Sequence, residues 1–510
     1  GADQVRSIKI DGTNGSSELQ GVILESDGEN GKFAIKTGAG GGTPSDKFTI
    51  NAINGNVGIG TTSPSAKLDV NGDAKINSVN IGKGANSVAG NTVLGESALD
   101  ANTTASNNTA VGYQALFANT TGVRNTAVGA YAMDANTTAN DNSAFGYFSL
   151  TNNTTGANNA AFGRASLENN TTGAQNTAVG FKAMQLSTEG NHNTAIGAFT
   201  LDANTTGSNN TAVGRDALGG NTTASNNTAV GYQSLKVNTT GTQNVAVGKS
   251  ALDANTTAND NTAVGFDALS ANTTGTGNTA VGRQSLKNNT TADNLVAVGI
   301  DALALNTTGI ENTACGGFAL DANTTGGQNS AFGIGALGAN TTASHNTAVG
   351  YVALILNTTG TQNVAVGAFS LDANTTGNYN VALGTSALTN NTTGTLNTAV
   401  GQSALFSNTT ASNNTALGYN TLNLNTTGTN NTAVGSGSMN ANTTGNSNAA
   451  LGLQSLSSNT TGGDNAGFGY LSLRDNTTGT NNTACGANAL RANTTGGDNT
   501  AVGKGALLAR

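Results

Sequence analysis

Apolar and polar positions obey one rule from Asn91 to the end of the chain, typified by NTAVGYQALFANTTGVR at residues 108–124. An apolar residue or Cys recurs at one fixed place, as in Val111, Phe145, Ile196, Cys315, Leu383 and Cys485. A Leu or Met follows five residues later, as in Leu116 and Met133, always after a small residue. A glycine lies between them, at Gly95, Gly112 and onward to Gly503. That is 24 steps of 17 residues, hence 25 copies with no insertion or deletion.

We number the repeat 1–17 as N-T-A-V-G-x-x-A-L-x-x-N-T-T-G-x-x. Positions 4 and 9 are the expected core knobs: Val111, Leu116, Met133, Cys315 and Cys485 in their respective copies. Positions 3 and 8 are small, where little room is expected. The glycine of position 5 implies a backbone conformation closed to other residues or a close approach by another strand. Asn holds position 1 except at Leu295, and position 12 of every complete copy except at Ser187. Stacked Asn side chains can bond up and down a ladder.

A fixed period signals a solenoid, propeller or array. Seventeen residues is too short for a helical hairpin or propeller blade and suits one coil of a β-solenoid with two or three short strands. The predicted fold is all-β: a parallel β-solenoid, or β-roll, of 25 coils behind a small N-terminal β domain. Two large apolar residues per coil make a thin core, stable only by stacking. That thinness favours a homotrimer, with an end-to-end polymer as the alternative. No loop in the array is lengthened to build a site.

Residues 1–50 are expected to form the N-terminal β domain, residues 51–90 a connector and lead-in coil, and residues 91–510 the shaft. Val5–Ile10, Gly21–Glu25 and Phe33–Lys36 read as strands, and Gly38–Pro44 as a loop. No signal peptide or membrane span is read. The absent initial Met suggests processing, and the end inside the last repeat fits removal of a C-terminal part.

The stretch from Asn56 to Pro64, NVGIGTTSP, with Lys67 to Gly72, KLDVNG, resembles a connector of phage tail-fibre and large bacterial surface proteins. That resemblance implies a trimeric fibre. The NTAVGxxAL units are similar to head repeats of trimeric autotransporter adhesins. These imply a left-handed, trimeric β-roll, although the adhesin unit is shorter and lacks the NTTG turn. The function implied is the structural shaft of a phage tail fibre or cell-surface appendage that mediates attachment, placed outside the cell. The alternatives are a self-assembling bacterial matrix filament or adhesin and, behind these, a glycan- or ice-binding monomeric solenoid.

Composition narrows the field. Only 9% of residues are charged and the net charge is −8. That excludes the basic face nucleic acid requires and disfavours an anionic membrane surface. Cys315 and Cys485 lie ten repeats apart, too far to pair within one chain. The two histidines, His192 and His345, both at position 17, stand nine repeats apart. No catalytic set, metal cluster or cofactor motif appears, so no enzyme, metal or cofactor is expected.

Three candidate features remain. Aromatic residues recur at positions 6 and 7: Tyr113, Tyr131, Phe148, Phe181, Tyr232, Phe266, Tyr351, Phe369, Tyr419 and Tyr470. They read as a chain–chain interface or, alternatively, as a face that stacks on a cell-surface glycan. Asp recurs at position 10, as in Asp134 and Asp372, and is expected on solvated surface rather than around Ca²⁺. The NTT triplet is a glycosylation acceptor as well as a turn. Its threonines form rows for which ice binding is a weak reading.

Overall fold

The computed structural model describes residues 6–13, 19–27, 31–39 and 45–508. The chain divides into two compact units, Gly1–His192 and Asn193–Arg510.

The first unit opens with a six-stranded sheet: β1 (Arg6–Thr13), β2 (Leu19–Asp27), β3 (Lys32–Ala39), β4 (Ser45–Asn51), β5 (Asn56–Ile59) and β6 (Leu68–Val70). Neighbours through β5 run antiparallel, and β6 joins β5 in parallel. The three expected strand runs thus fall in β1, β2 and β3, except Val5, which lies outside the described residues. Of the loop expected at Gly38–Pro44, residues 38 and 39 belong to β3 and the rest lies outside the described residues. The sheet continues through the connector: Asn56 Nδ2 bonds the Pro64 carbonyl at 3.1 Å, and the Asn71 amide bonds the Ile59 carbonyl at 2.8 Å. Short antiparallel strands β7 (Ala74–Ile76) and β8 (Val79–Gly82) lead to β9 (Thr92–Gly95).

At β9 pairing becomes parallel and the solenoid starts. One three-residue strand recurs per coil at positions 2–4, from β10 (Thr109–Val111) to β14 (Thr177–Val179) in the first unit. In the second unit the same strand recurs from β15 (Thr194–Ile196) to β33 (Thr500–Val502). Like pairs with like: Thr109 faces Thr126, Ala110 faces Ala127 and Val111 faces Val128. The two units together carry about 24 turns of this parallel β-solenoid. Among the described residues the only helical segment is a three-residue 3-10 turn, Ala85–Ser87.

The expectation of two or three strands per coil needs correction, because positions 6–11 are turns that still bond from coil to coil. The Gln114 amide donates to the Glu96 carbonyl below it in sequence, and the Leu116 amide to the Ala132 carbonyl above, both at 3.0 Å. Alternating donation in this way requires alternating backbone handedness. Positions 7 and 9 accordingly sit at positive φ, as in Tyr131 (59°) and Met133 (52°). A single such residue costs roughly 1–2 kcal/mol. The inter-coil ladder holds it in place.

The core differs from the expected one in a defined way. Leu116 and Met133 are fully buried, as are Ala110 and Ala115 at positions 3 and 8. Val111 is only half-buried, Cys315 likewise, and Cys485 is exposed. Strand neighbours point to opposite faces. With Ala110 inside, position 4 must point out, so Val111, Cys315 and Cys485 are not core knobs.

Asn takes the interior space instead. Asn108 and Asn119, at positions 1 and 12, are fully buried. Asn108 Oδ1 accepts from the Asn125 amide at 2.8 Å while its Nδ2 donates to the Gly122 carbonyl at 2.9 Å. Asn136 Nδ2 donates to Asn119 Oδ1 at 2.7 Å and to the Ala139 carbonyl at 3.2 Å. Two amide ladders therefore satisfy the interior, and each Leu adds roughly 2 kcal/mol of burial. The core is complete within one chain, so its thinness is no argument for a trimer.

Gly112 has φ 131°, and a Cβ there would lie 2.6 Å from the Gly129 carbonyl oxygen. Gly95 is equally close-packed against Gly112, whereas Gly503 keeps the positive φ with open space beyond it. Both proposed reasons for an unvarying glycine thus hold together.

Candidate functional site: the outward faces of the coil

With positions 1, 3, 8, 9, 12 and 15 inside, three outward faces remain. The first is the flat face of the strands, positions 2 and 4. Position 2 is Thr, Ser, Ala or Val in every copy, and position 4 is always apolar or Cys. No charge occurs on this face in 25 coils. Its side chains are substantially exposed: Phe162 by 40%, Leu417 by 45% and Leu451 by 51%. Neighbouring coils stack here; the rings of Phe145 and Phe162 lie parallel at 4.9 Å.

The second face carries positions 6, 7 and 10. Tyr113, Phe181, Tyr232, Phe266, Tyr351, Phe369, Tyr419 and Tyr470 are exposed, while Tyr131 and Phe148 are half-buried against their neighbours. Tyr131 meets Tyr113 edge-on at 5.3 Å and stacks on Phe148 at 5.0 Å. Tyr351 meets Phe369 edge-on at 5.5 Å. Cations interleave with the rings. Arg164 lies 5.5 Å from the Phe181 ring centre, and Lys249 lies 5.3 Å from that of Phe266. Within each unit the expected residues therefore share one face, but as separate clusters rather than a continuous aromatic stripe.

The Asp residues of position 10 are not on freely solvated surface, which corrects the expectation for most of them. Asp134, Asp202, Asp253, Asp321 and Asp372 are half-buried, and only Asp100 is exposed. Burial pushes the carboxyls of Asp134, Asp253, Asp321 and Asp372 above the usual range, with Asp267 adding to the effect at Asp253. One carboxylate oxygen of Asp134 and one of Asp372 are buried without a hydrogen-bond partner. Among the described residues no three metal-ligating side chains gather.

The third face carries positions 13, 14, 16 and 17. The Asn of each NTT triplet is buried, and its Nδ2 is committed to the ladder, as in Asn119 to the Gly122 carbonyl at 3.0 Å. The folded shaft therefore does not present this nitrogen for glycosylation. Thr120 Oγ1 donates to the Thr137 carbonyl at 3.1 Å, so the position 13 hydroxyls are also engaged between coils. His192 and His345 are exposed.

No protein-family model, curated protein or solved structure matches this chain. No helix among the described residues is long and apolar enough to cross a membrane.

Sequence reasoning missed the strand face because apolar residues were assigned inward. The signal was present: position 3 is Ala in all copies but Val93 and Gly467. A position so restricted is the inward one, and its strand neighbours must point out.

Proposed function

We propose that this chain is the structural shaft of an extracellular attachment fibre, of the kind found in phage tail fibres or cell-surface appendages. In this reading its copies associate side by side through the strand face. The observation that carries it is the unbroken apolar character of position 4. A position that is half-buried or exposed in every copy has little folding reason to exclude charge from all 25 coils. Contiguous exposed apolar surface of this kind marks an interaction site.

A second copy is the natural occupant, because its ladder repeats at the same strand spacing and meets this one coil for coil. The 19 strands of residues 193–510 alone present a strip of roughly 900 Å², from a spacing of about 4.8 Å and a strand width of about 10 Å. A stable interface needs about 800 Å² per partner. The parallel ladder supplies stiffness, and repeated contacts supply avidity.

Sedimentation equilibrium tests the reading. The expected mass is two or more times 50.1 kDa, with three copies as the tail-fibre resemblance implies. Replacing Val281, Val298 and Val349 together by Asp should lower it to one chain while circular dichroism stays unchanged. A single-chain mass for the unaltered protein refutes lateral association. An open-ended mass distribution favours the matrix-filament alternative.

A further inference from the structure

We infer that residues 199–321 carry two matching binding cavities for a neutral saccharide, five coils apart on the face of positions 7 and 10. The cavities measure about 410 Å³ and 300 Å³, within the range of small-ligand sites. Each spans three coils, and the two are built from the same parts in opposite order. In the first, Phe199 and Asp202 stand on one coil, Asp216 and Gly219 on the next, and Lys236 on the third. In the second, Lys287 comes first, then Asp301 and Ala304, then Phe318 and Asp321. The phenyl ring and the central Asp occupy position 7. The outer Asp, the small residue and the Lys occupy position 10.

The small central residue opens the space, since a larger side chain at Gly219 or Ala304 would fill it. The central carboxylates are held by arginine: Arg215 Nε lies 3.5 Å from Asp216 Oδ2, and Arg283 Nη2 lies 2.9 Å from Asp301 Oδ2. With its amide oriented to suit its neighbours, Gln284 donates to Asp301 Oδ1 at 3.1 Å and accepts from Lys287 Nζ at 3.0 Å. The second cavity thus has a connected polar wall before any ligand arrives. The charges are not a general property of the shaft. Residues 322–463 contain no Lys or Arg and a single acid, Asp372.

The chemistry selects the ligand class. Counting the arginines, each cavity has two carboxylates and two cations, so neither an anion nor a cation is favoured. A ligand must both donate to carboxylates and accept from an ammonium, as hydroxyl groups do, and must offer an apolar face to a phenyl ring. A neutral sugar residue meets all three requirements. The triplet Asp253, Ser270, Lys287 repeats the charge order, but Ser250 replaces the ring. The central residues, Asp216 and Asp301, are five coils apart, roughly 24 Å at one strand spacing per coil. One polysaccharide strand can therefore engage both cavities.

Affinity electrophoresis of the full chain through native gels holding dextran, mannan, galactomannan or β-glucan tests this. Retardation is expected by at least one polymer. Phe199→Ser or Lys236→Met should weaken it about tenfold by removing one of two linked contacts. Combining Phe199→Ser with Phe318→Ser should abolish it. Position 7 already carries Ser in four other copies, so the coil tolerates the change. Phe369→Ser, on the same face outside both cavities, should change nothing. Absence of retardation in all four gels overturns the proposal. So does an equal loss in Phe369→Ser, which would assign binding to the aromatic face at large. This outcome is independent of the mass measurement that tests the shaft reading.

Discussion

Replacing Ser187 by Asn should stabilise the coils around it. Ser187 is the one residue other than Asn at position 12 in the complete copies, and it breaks the inner ladder. In most other coils the Asn donates to the Asn Oδ1 of the preceding coil, as Asn170 does to Asn153 at 2.7 Å, and to a carbonyl three residues on, as Asn170 does to Gly173 at 2.9 Å. Ser is too short for either bond. Asn170 Oδ1 and Ser187 Oγ are both buried without a partner. Ser187→Asn restores a donor to Asn170 Oδ1 and a second one to the Gly190 carbonyl, which already accepts from Asn176 at 2.8 Å. It also fills space left by the shorter side chain. Relieving one orphaned buried acceptor and adding one ordinary bond is worth about 2 kcal/mol. Whole-chain melting is a poor readout, because a repeat array couples mainly nearest neighbours. Hydrogen exchange followed by mass spectrometry is local. Amides of residues 170–190 should gain about 30-fold in protection, at about 1.4 kcal/mol per tenfold. Amides near residues 108–125 should not change. Unaltered or reduced protection at residues 170–190 would refute the view that ladder continuity stabilises the shaft.

Gly231→Ala should disrupt its coil, since φ is 133° and the new Cβ would lie 2.5 Å from the Gly248 carbonyl oxygen. We expect a loss of more than about 3 kcal/mol, read as local exchange. Gly377→Ala, at position 15, is free of the positive φ; its Cβ would lie 2.3 Å from the Gly394 carbonyl oxygen, but Ala105, Ala139 and five other copies already place Ala there, so a small local shift should hold the cost to about 1 kcal/mol. Val352 is β-branched at φ 47°, and Val352→Asn should gain about 1 kcal/mol; denaturant resistance of neighbouring peptides is the check. The half-buried Asp372 carboxyl has its folded pKa raised by desolvation. It binds a proton more tightly folded than unfolded. Stability should therefore rise as pH falls through the folded pKa, and level off below the ordinary carboxylate range. Asp372→Asn should remove that rise around its coil and leave the coil more stable at neutral pH.

The period, the parallel stacking, the glycine constraint and the Asn ladders were legible because each rests on identity between copies. A residue that recurs at one position reports one repeated environment, and Asn108 with its successors needed no coordinates to be recognised. Direction was harder. Val111 and Leu116 look equally suited to a core, yet one faces out and the other in. Apolar character alone does not decide, since much of any protein surface is apolar. The half-burial of Asp134 and Asp372 was also hidden. It depends on which side chains the adjoining coils contribute, a relation across 17 residues. The two cavities were invisible for the same reason: Asp202, Asp216 and Lys236 fall on three separate coils.

The matched register has an evolutionary corollary. Because the bonds between coils recur at the same offset from coil to coil, excising 17 residues within the second unit leaves each surviving coil with a neighbour it already fits. Removing 16 or 18 would throw Gly against side chain and Asn against Leu all along the break. Recombination between repeats can therefore lengthen or shorten the molecule in whole steps without a new sequence being invented. The gene would behave as a ruler whose graduations are single coils.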